Sequence, residues 1–360
     1  MSRLARISKL VLLISCFALL VVTLSCFAAT KPRKLTIGAI VPTLNHEFWK
    51  RYVEFMKKGA QELGVNLIVL NAEDSGDKLV QYIEDLVSRG VDGLIYVPYF
   101  NTGRKGIMEA ARANIPVICT DTYPENLTPG KEFKNYISFI GPSDESAGYQ
   151  MALALFKHTP AAKDGKKYIG VVNGTPGTSV AINRRKGLEK ALKEHPEVVV
   201  VGEVVGYFVR DKSQSATEDL YQGHPEIKGI WAANGGTATG VIAALKSFGK
   251  KPGKDVMVVG MDLNPENVEA VKDGELLFDI GGHWLQGGFA LVIMYDYLHG
   301  YKVRPEETSV ELSLLPVMKD TYDRYMKDYP NGMLKYDFKS HSRVYNPSAS
   351  RAIVELKYSE

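Results

Sequence analysis

Two series of short apolar runs alternate with amphipathic stretches of helical period, and this alternation constrains the fold more than any other feature of the chain. In the first series strands are expected at Leu35–Val41, Asn66–Leu70, Gly93–Val97, Pro116–Thr120 and Tyr136–Ile140. Helices are expected between them at Glu47–Leu63, Lys78–Arg89 and Thr102–Ala113. Runs that are apolar throughout, rather than at alternate positions, suit parallel strands covered on both faces. The first helix repeats Phe48, Tyr52, Phe55, Met56, Ala60 and Leu63 on one face, and Gly64 stands as its stop. A second series follows a helix at Glu145–His158. Its strands are read at Tyr168–Val172, Val198–Val205, Gly229–Ala233, Val256–Gly260 and Leu277–Gly281. Its helices are read at Ser179–Lys193, Lys212–Tyr221, Thr237–Phe248, Pro265–Lys272 and Trp284–Leu298. Such alternation builds βαβ units on parallel sheets.

A chain of 360 residues exceeds what one core normally supports. The expected fold class is therefore α/β, with two doubly wound parallel-sheet domains joined by a three-strand hinge. Crossings are placed near Gly141–Ser143, Gly281–His283 and Leu312–Pro316. The N-terminal domain would take residues 35–141 plus 283–312, the C-terminal domain 142–282 plus about 313–330, and a tail 331–360. A helix at Asp320–Lys327 and a last strand at Ala352–Leu356 are expected in the segment after Pro316, which is rich in Tyr, Lys and Asp. It is expected to wrap over the domains and carries no readable chemistry. Several crossings instead of one linker make a hinge with a cleft beside it, and clefts between domains are favoured ligand sites.

Arg3, Arg6 and Lys9 precede an apolar run from Leu10 to about Ala29, which describes a secretory signal over residues 1–28. The run is also long enough to span a bilayer, so an uncleaved anchor is the alternative. A lipoprotein reading at Ser25–Cys26 fits less well, because Thr23 and Leu24 are not the usual preceding residues. All three readings place the rest of the chain outside the cytoplasm. The formal charge of +3 resides in those three basic residues, so the mature chain is neutral and offers no electrostatic case for nucleic acid. Beyond Cys16 and Cys26 only Cys119 remains, so no internal disulfide is possible. Its setting in an apolar run makes it a small hydrophobe.

Enzyme signatures are missing: the sequence has no Walker loop, no G-x-S-x-G elbow, no G-x-G-x-x-G after a strand, and no metal spacing among its histidines. The turns Asn173–Ser179 and Asn234–Thr237 could cradle an anion at a helix N-terminus, or could be tight strand-to-helix turns with Thr, Ser and Asn caps. The positive signal is positional. In open parallel sheets ligands bind beyond the carboxyl ends of the strands. Asn45, His46, Asp121, Asn234, Asp262 and His283 all stand there, and Arg184 lies early in the helix after the Gly174 turn. Taken singly each could be a cap. Together with the aromatics Phe48, Trp49, Phe208 and Trp284 they suit a sugar or polyol, which has apolar faces and a hydroxyl rim.

These residues lie in stretches that resemble the type I periplasmic binding proteins, specifically the ribose-, galactose- and autoinducer-binding group. The likeness runs from about Leu35 to Pro316 through IGAIVPTLNHEFW, RGVDGLIYVP (Arg89–Pro98), ANIPVICTD (Ala113–Asp121), GTSVAINRRKGL (Gly177–Leu188) and DVMVVGMD (Asp255–Asp262). It implies two α/β domains joined by three strands, hinge closure on ligand, and no catalysis or cofactor. The ligand residues it implies are His46, Phe48, Trp49, Asp121, Arg184, Phe208, Asn234 and Asp262; His283 joins them from its strand-end position, with Asn45, Thr122 and Trp284 as further candidates. Thr122 stands where ribose-type members carry an arginine, Gly235 where they carry an acid, and Gly282 where a late amide reaches the sugar. Trp49 is similar to the second aromatic of the autoinducer-binding receptors. The expected function is capture of a small sugar-like ligand by a monomer and delivery to an ABC importer. The alternative is a sensory protein that presents its ligand-bound form to a membrane receptor or kinase.

Overall fold

The computed structural model describes residues 34–359. The expected signal or anchor at residues 1–28, with Cys16 and Cys26, lies outside the described residues. Among the described residues no helix is long and apolar enough to cross a membrane.

Strands β1 Thr36–Val41, β2 Asn66–Asn71, β3 Gly93–Tyr96, β4 Val117–Thr120 and β5 Tyr136–Pro142 build the first sheet. Helices α1 Glu47–Leu63, α2 Gly76–Ser88 and α3 Gly103–Arg112 connect them. After α4 Asp144–His158 the second sheet is built from β6 Lys167–Asn173, β7 Val198–Val205, β8 Gly229–Ala232, β9 Met257–Asp262 and β10 Phe278–Gly281. Its helices are α5 Ser179–Glu194, α6 Arg210–Gly223, α7 Gly235–Ser247 and α8 Pro265–Asp273. The chain then returns through α9 Gln286–Leu298, which packs on α1 and on β3, β4 and β5. A short α10 Pro305–Thr308 leads into β11 Ser309–Leu312, which pairs with β5, and β12 Leu315–Met318 pairs with β10.

The strand orders are β11-β5-β4-β3-β1-β2 and β12-β10-β9-β8-β6-β7. Every pairing is parallel except β10 with β12. This is the expected fold class, two doubly wound sheets with three chain crossings between them. In each sheet the order reverses between its first and third strands, β1 and β3 or β6 and β8. A topological switch of this kind leaves a crevice at the strand ends.

Local chemistry explains the element ends. Gly64 closes α1 in the left-handed conformation at φ 72°, which Gly adopts without penalty. Ser75 caps α2 by accepting from the Lys78 amide. The cores are apolar. Ile37, Leu94, Ile118 and Leu86 are fully buried in one, and Ile169, Val259, Trp231 and Met151 in the other. Cys119 is a buried free thiol whose ionisation burial suppresses, with Tyr96 against it.

Two expectations need correction. Residues 352–356 form no strand. Their polar groups are met by side chains instead: the Ala352 amide donates to Glu307 Oε1 at 2.6 Å, and the Tyr336 hydroxyl donates to the Ala352 carbonyl at 2.5 Å. The expected helix at Trp284–Leu298 begins as a separate 3-10 turn at His283–Leu285, entered from Gly282 at φ 108°. That turn rotates Trp284 inward. The last helix falls at Tyr322–Asp328 (α11), and a further single turn, α12 Phe338–His341, lies against α1.

Candidate ligand-binding site

The Leu35–Trp49 segment turns at Thr43, which is fully buried and accepts from the Asn45 amide at 3.2 Å. This bend delivers Asn45, His46, Phe48 and Trp49 to the carboxyl ends of β1 and β3. His46 is the N-cap of α1 but makes no side-chain capping bond, so its imidazole is not engaged by the helix. Burial lowers its pKa, with Asp74 opposing. Phe48 and Trp49 meet edge to face at 4.9 Å and 87°, Tyr99 stands edge-on to Trp49 at 6.1 Å, and Phe48 lies 4.5 Å from the His283 ring at 35°.

From the other sheet, Tyr207 and Phe208 both sit in left-handed backbone, at φ 56° and 63°. Non-glycine residues hold such angles only where the surroundings impose them, and they gather at ligand sites. The surroundings here are Gly174, on which a Cβ would come within 1.9 Å of the Phe208 ring. The glycine turn after β6 is thus a seat for Phe208. Thr178 caps α5 from this turn and Asn234 caps α7, so both turns follow the capping reading rather than the anion-cradle one.

Arg184 is almost fully buried. Its Nε donates to Asp144 Oδ1 at 2.7 Å and its Nη1 to the Ala233 carbonyl at 2.9 Å. Burial alone would lower its pKa, but Asp144, Asp262 and Asp121 outweigh burial and raise it. The same burial pushes Asp144 up to about 7 and Asp262 up to about 6, against the pull of Arg184. Asp121 shifts the same way for the same cause. Its Oδ1 accepts from Gln286 Nε2 at 3.3 Å and its Oδ2 from the Thr122 hydroxyl at 3.1 Å. Asp262, at φ 108°, accepts from the Gly235 amide at 3.0 Å and from the Asn234 side chain. His283 Nε2 stands 3.6 Å from Asp262 Oδ1. That contact is not an ion pair, because burial and then Arg184 hold His283 far below its usual pKa and keep it neutral.

One cavity of about 590 Å³ lies between the strand ends of the two sheets. Asn45, His46, Phe48, Trp49, Asp121, Arg184, Phe208, Asn234, Asp262 and His283 all border it. Two sequence candidates do not. Thr122 has its hydroxyl turned onto Asp121, and Trp284 is a fully buried core residue, edge-on to Phe55 at 5.8 Å with the Arg51 guanidinium 4.2 Å from its ring.

Other lining residues were not singled out in the sequence: Tyr99, Tyr207, Asp74 and Asn264. Tyr99 lies three residues beyond the end of β3 at the switch point, so the strand-end rule could have found it. Asn264 has its side-chain oxygen buried without a hydrogen-bond partner, which no sequence pattern announces. Gly235 explains its placement: a Cβ there would lie 2.7 Å from Asn264 Nδ2 and Asn267 Oδ1. Among the described residues no group of His, Cys, Asp or Glu is arranged to hold a metal ion.

A two-lobed α/β protein with an aromatic and polar cavity at the facing strand ends is the architecture of a solute-binding protein. A family model described as periplasmic binding protein domain matches residues 37–302. Ribose import binding protein RbsB of Bacillus subtilis (strain 168) is 30% identical over 275 residues, covering 76% of this chain and 84% of that protein. Galactofuranose-binding protein YtfQ of Escherichia coli (strain K12) is 28% identical over 224 residues, covering 61% of this chain and 68% of that one. A solved periplasmic sugar-binding protein from Pseudomonas fluorescens superposes with TM-score 0.78 at 26% identity, covering 88% of this chain and 97% of that chain. The chain belongs to the type I periplasmic binding proteins, as its sequence motifs imply, and these relatives are named as binding proteins rather than enzymes.

Proposed function

We propose that this protein captures a small sugar-like or polyol ligand in the periplasm and delivers it to an ABC importer. The observation that carries this is the cavity of about 590 Å³, walled by Phe48, Trp49 and Phe208 and rimmed by Asp121, Arg184, Asn234 and Asp262. Flat rings suit the C–H faces of a sugar ring, and fixed carboxylates and a guanidinium suit its hydroxyls. The names of the relatives, ribose import and galactofuranose binding, support the same ligand class. Arg184 would serve the ligand through Nη2, since Nε and Nη1 are held by Asp144 and Ala233.

In this reading the N-terminal domain takes residues 35–141 plus 283–312, the C-terminal domain residues 142–282 plus about 313–330, and the tail residues 331–360. Closure about the three crossings would let a ligand that touches both lobes select the closed state, a motion for which periplasmic binding proteins are a standing example. The protein acts as a monomer. A thermal-shift screen of neutral pentoses, hexoses, cyclitols and furanosides tests the reading, because a ligand that binds the native state raises its melting point. A hit whose affinity drops by about tenfold or more in Trp49→Ala supports the site. A hit untouched by that substitution refutes the cavity assignment.

A further inference from the structure

The deep part of the cavity has more buried negative charge than its own cation balances. Arg184 is bound through Nε to Asp144 at 2.7 Å, and both side chains are nearly inaccessible, at 3% and 6%. One guanidinium thus faces three buried carboxyl groups, Asp144, Asp262 and Asp121. Asp121 and Asp262 are 4% and 3% exposed; burial raises the pKa of both, Asp121 adds to the rise at Asp262, and Arg184 opposes it at each. The remaining basic residues on the cavity lie toward solvent. Arg210 is half exposed and pairs with Glu266 at 2.7 Å, Lys50 with Glu47 at 3.6 Å, and Lys212 lies over the Tyr207 ring. Neutral His283 adds no charge.

Two buried polar atoms of this wall lack a partner, beside the free Nη2 of Arg184. His283 is 1% exposed and its Nδ1 has no hydrogen-bond partner. Asp262 Oδ1 lies 3.6 Å from Nε2; in the tautomer that turns the Nε2 proton toward this carboxylate, Nδ1 is an acceptor. The Asn264 side-chain oxygen is likewise buried and unpartnered. Acceptors without donors, two buried carboxylates and the ring faces of Phe48, Trp49 and Phe208 together describe a seat for an organic cation. A metal ion does not suit it, since no ligating cluster of His, Cys, Asp or Glu is present among the described residues.

We infer that the ligand is a hydroxylated ring carrying a protonated amine, held by Asp121 and Asp262 against Phe48 and Trp49. This rests on the reading of the cavity as a site for a small hydroxylated ligand. The ammonium supplies the missing positive charge and several N–H donors, while Arg184 Nη2 serves a hydroxyl.

Two isosteric probes separate the ideas: 1,4-dideoxy-1,4-imino-D-ribitol, whose ring nitrogen is protonated at neutral pH, and 1,4-anhydro-D-ribitol, whose ring oxygen is neutral. Calorimetric titration of the purified protein should show the imino compound binding about ten- to a hundredfold more tightly. Asp262→Asn and Asp121→Asn should each shrink that ratio, and either variant suffices if the other misfolds. Equal binding, or tighter binding of the anhydro compound, overturns the amine inference and leaves the sugar reading standing. Binding of neither overturns both. An unchanged ratio in both folded variants overturns the assignment to these carboxylates.

Discussion

Asp262 ends β9 with its carboxylate shut between the Gly235 amide, Asn234 and His283, and it feels Arg184, Asp121 and, through Asp279, a further buried acid. Its pKa of about 6 lies above the ordinary aspartate range, so the folded state holds the proton more tightly than the unfolded chain. The stabilisation from that proton is complete below about pH 4 and lost as pH rises through about 6, a swing of about 3 kcal/mol. Asp262→Asn should therefore raise the ligand-free melting temperature at pH 7 and leave it nearly unchanged at pH 4. Thermal unfolding at both values checks this; an equal change at both would refute it. Gly174 acts by what it lacks. Gly174→Ala drives a methyl into the Phe208 ring and should destabilise by about 1–3 kcal/mol, read as a lower denaturant midpoint at constant slope.

Helix α1 divides its labour along its length. Its first turn presents Phe48 and Trp49 to the cavity, while Phe55 lies fully buried among Trp284, Phe289, Tyr336 and Phe338. Phe55→Ala should cost about 3–5 kcal/mol of stability, measured by denaturant titration. Trp49→Ala should weaken ligand more than it weakens the fold. Arg51, between them, donates to the carbonyls of Leu263 and Gly332 at 2.5 Å, and so joins the aromatic helix to the end of β9 and to the tail. The extent of α1 was legible because its apolar residues recur at helical spacing and Gly64 follows. The direction of Trp284 was not. Periodicity assigns a residue to a face of a regular helix, and Trp284 sits in a 3-10 turn that breaks the count.

Across the whole molecule the tail works as a strap. Tyr336 and Phe338 cover Phe55 on the first lobe, and Asp296 on α9 accepts from the Ser342 hydroxyl at 2.6 Å. Leu356 occupies the space beside Gly282 at one crossing, where a Cβ would approach it to 2.6 Å. The Ser313 amide at another crossing donates to Glu355 at 3.2 Å, and the Tyr358 hydroxyl donates to the Pro316 carbonyl at 2.8 Å. Ending the chain after Met333 should strip the cover from Phe55 and Phe289. The expected loss is at least about 3 kcal/mol of stability, with new binding of a hydrophobic dye. A truncated protein with an unchanged melting point would show the strap to be idle.

The sequence by itself determined the two α/β series, the three crossings and the strand-end positions of Phe48, Trp49, Asp121, Asn234 and Asp262. Those follow from local periodicity, glycine punctuation and the alternation of elements, all short-range properties. Only the tertiary structure decided how the charges are shared. Arg184 belongs first to Asp144, a partner forty residues away in the chain, and its charge is also felt by Asp121 and Asp262, so one guanidinium serves three buried acids. It also decided that Trp284 is core, that Gly174 seats Phe208, and that Asn264 and His283 each bury a polar atom without a hydrogen-bond partner. Each of those outcomes depends on burial and on neighbours supplied by distant segments, and no pattern along the chain encodes them.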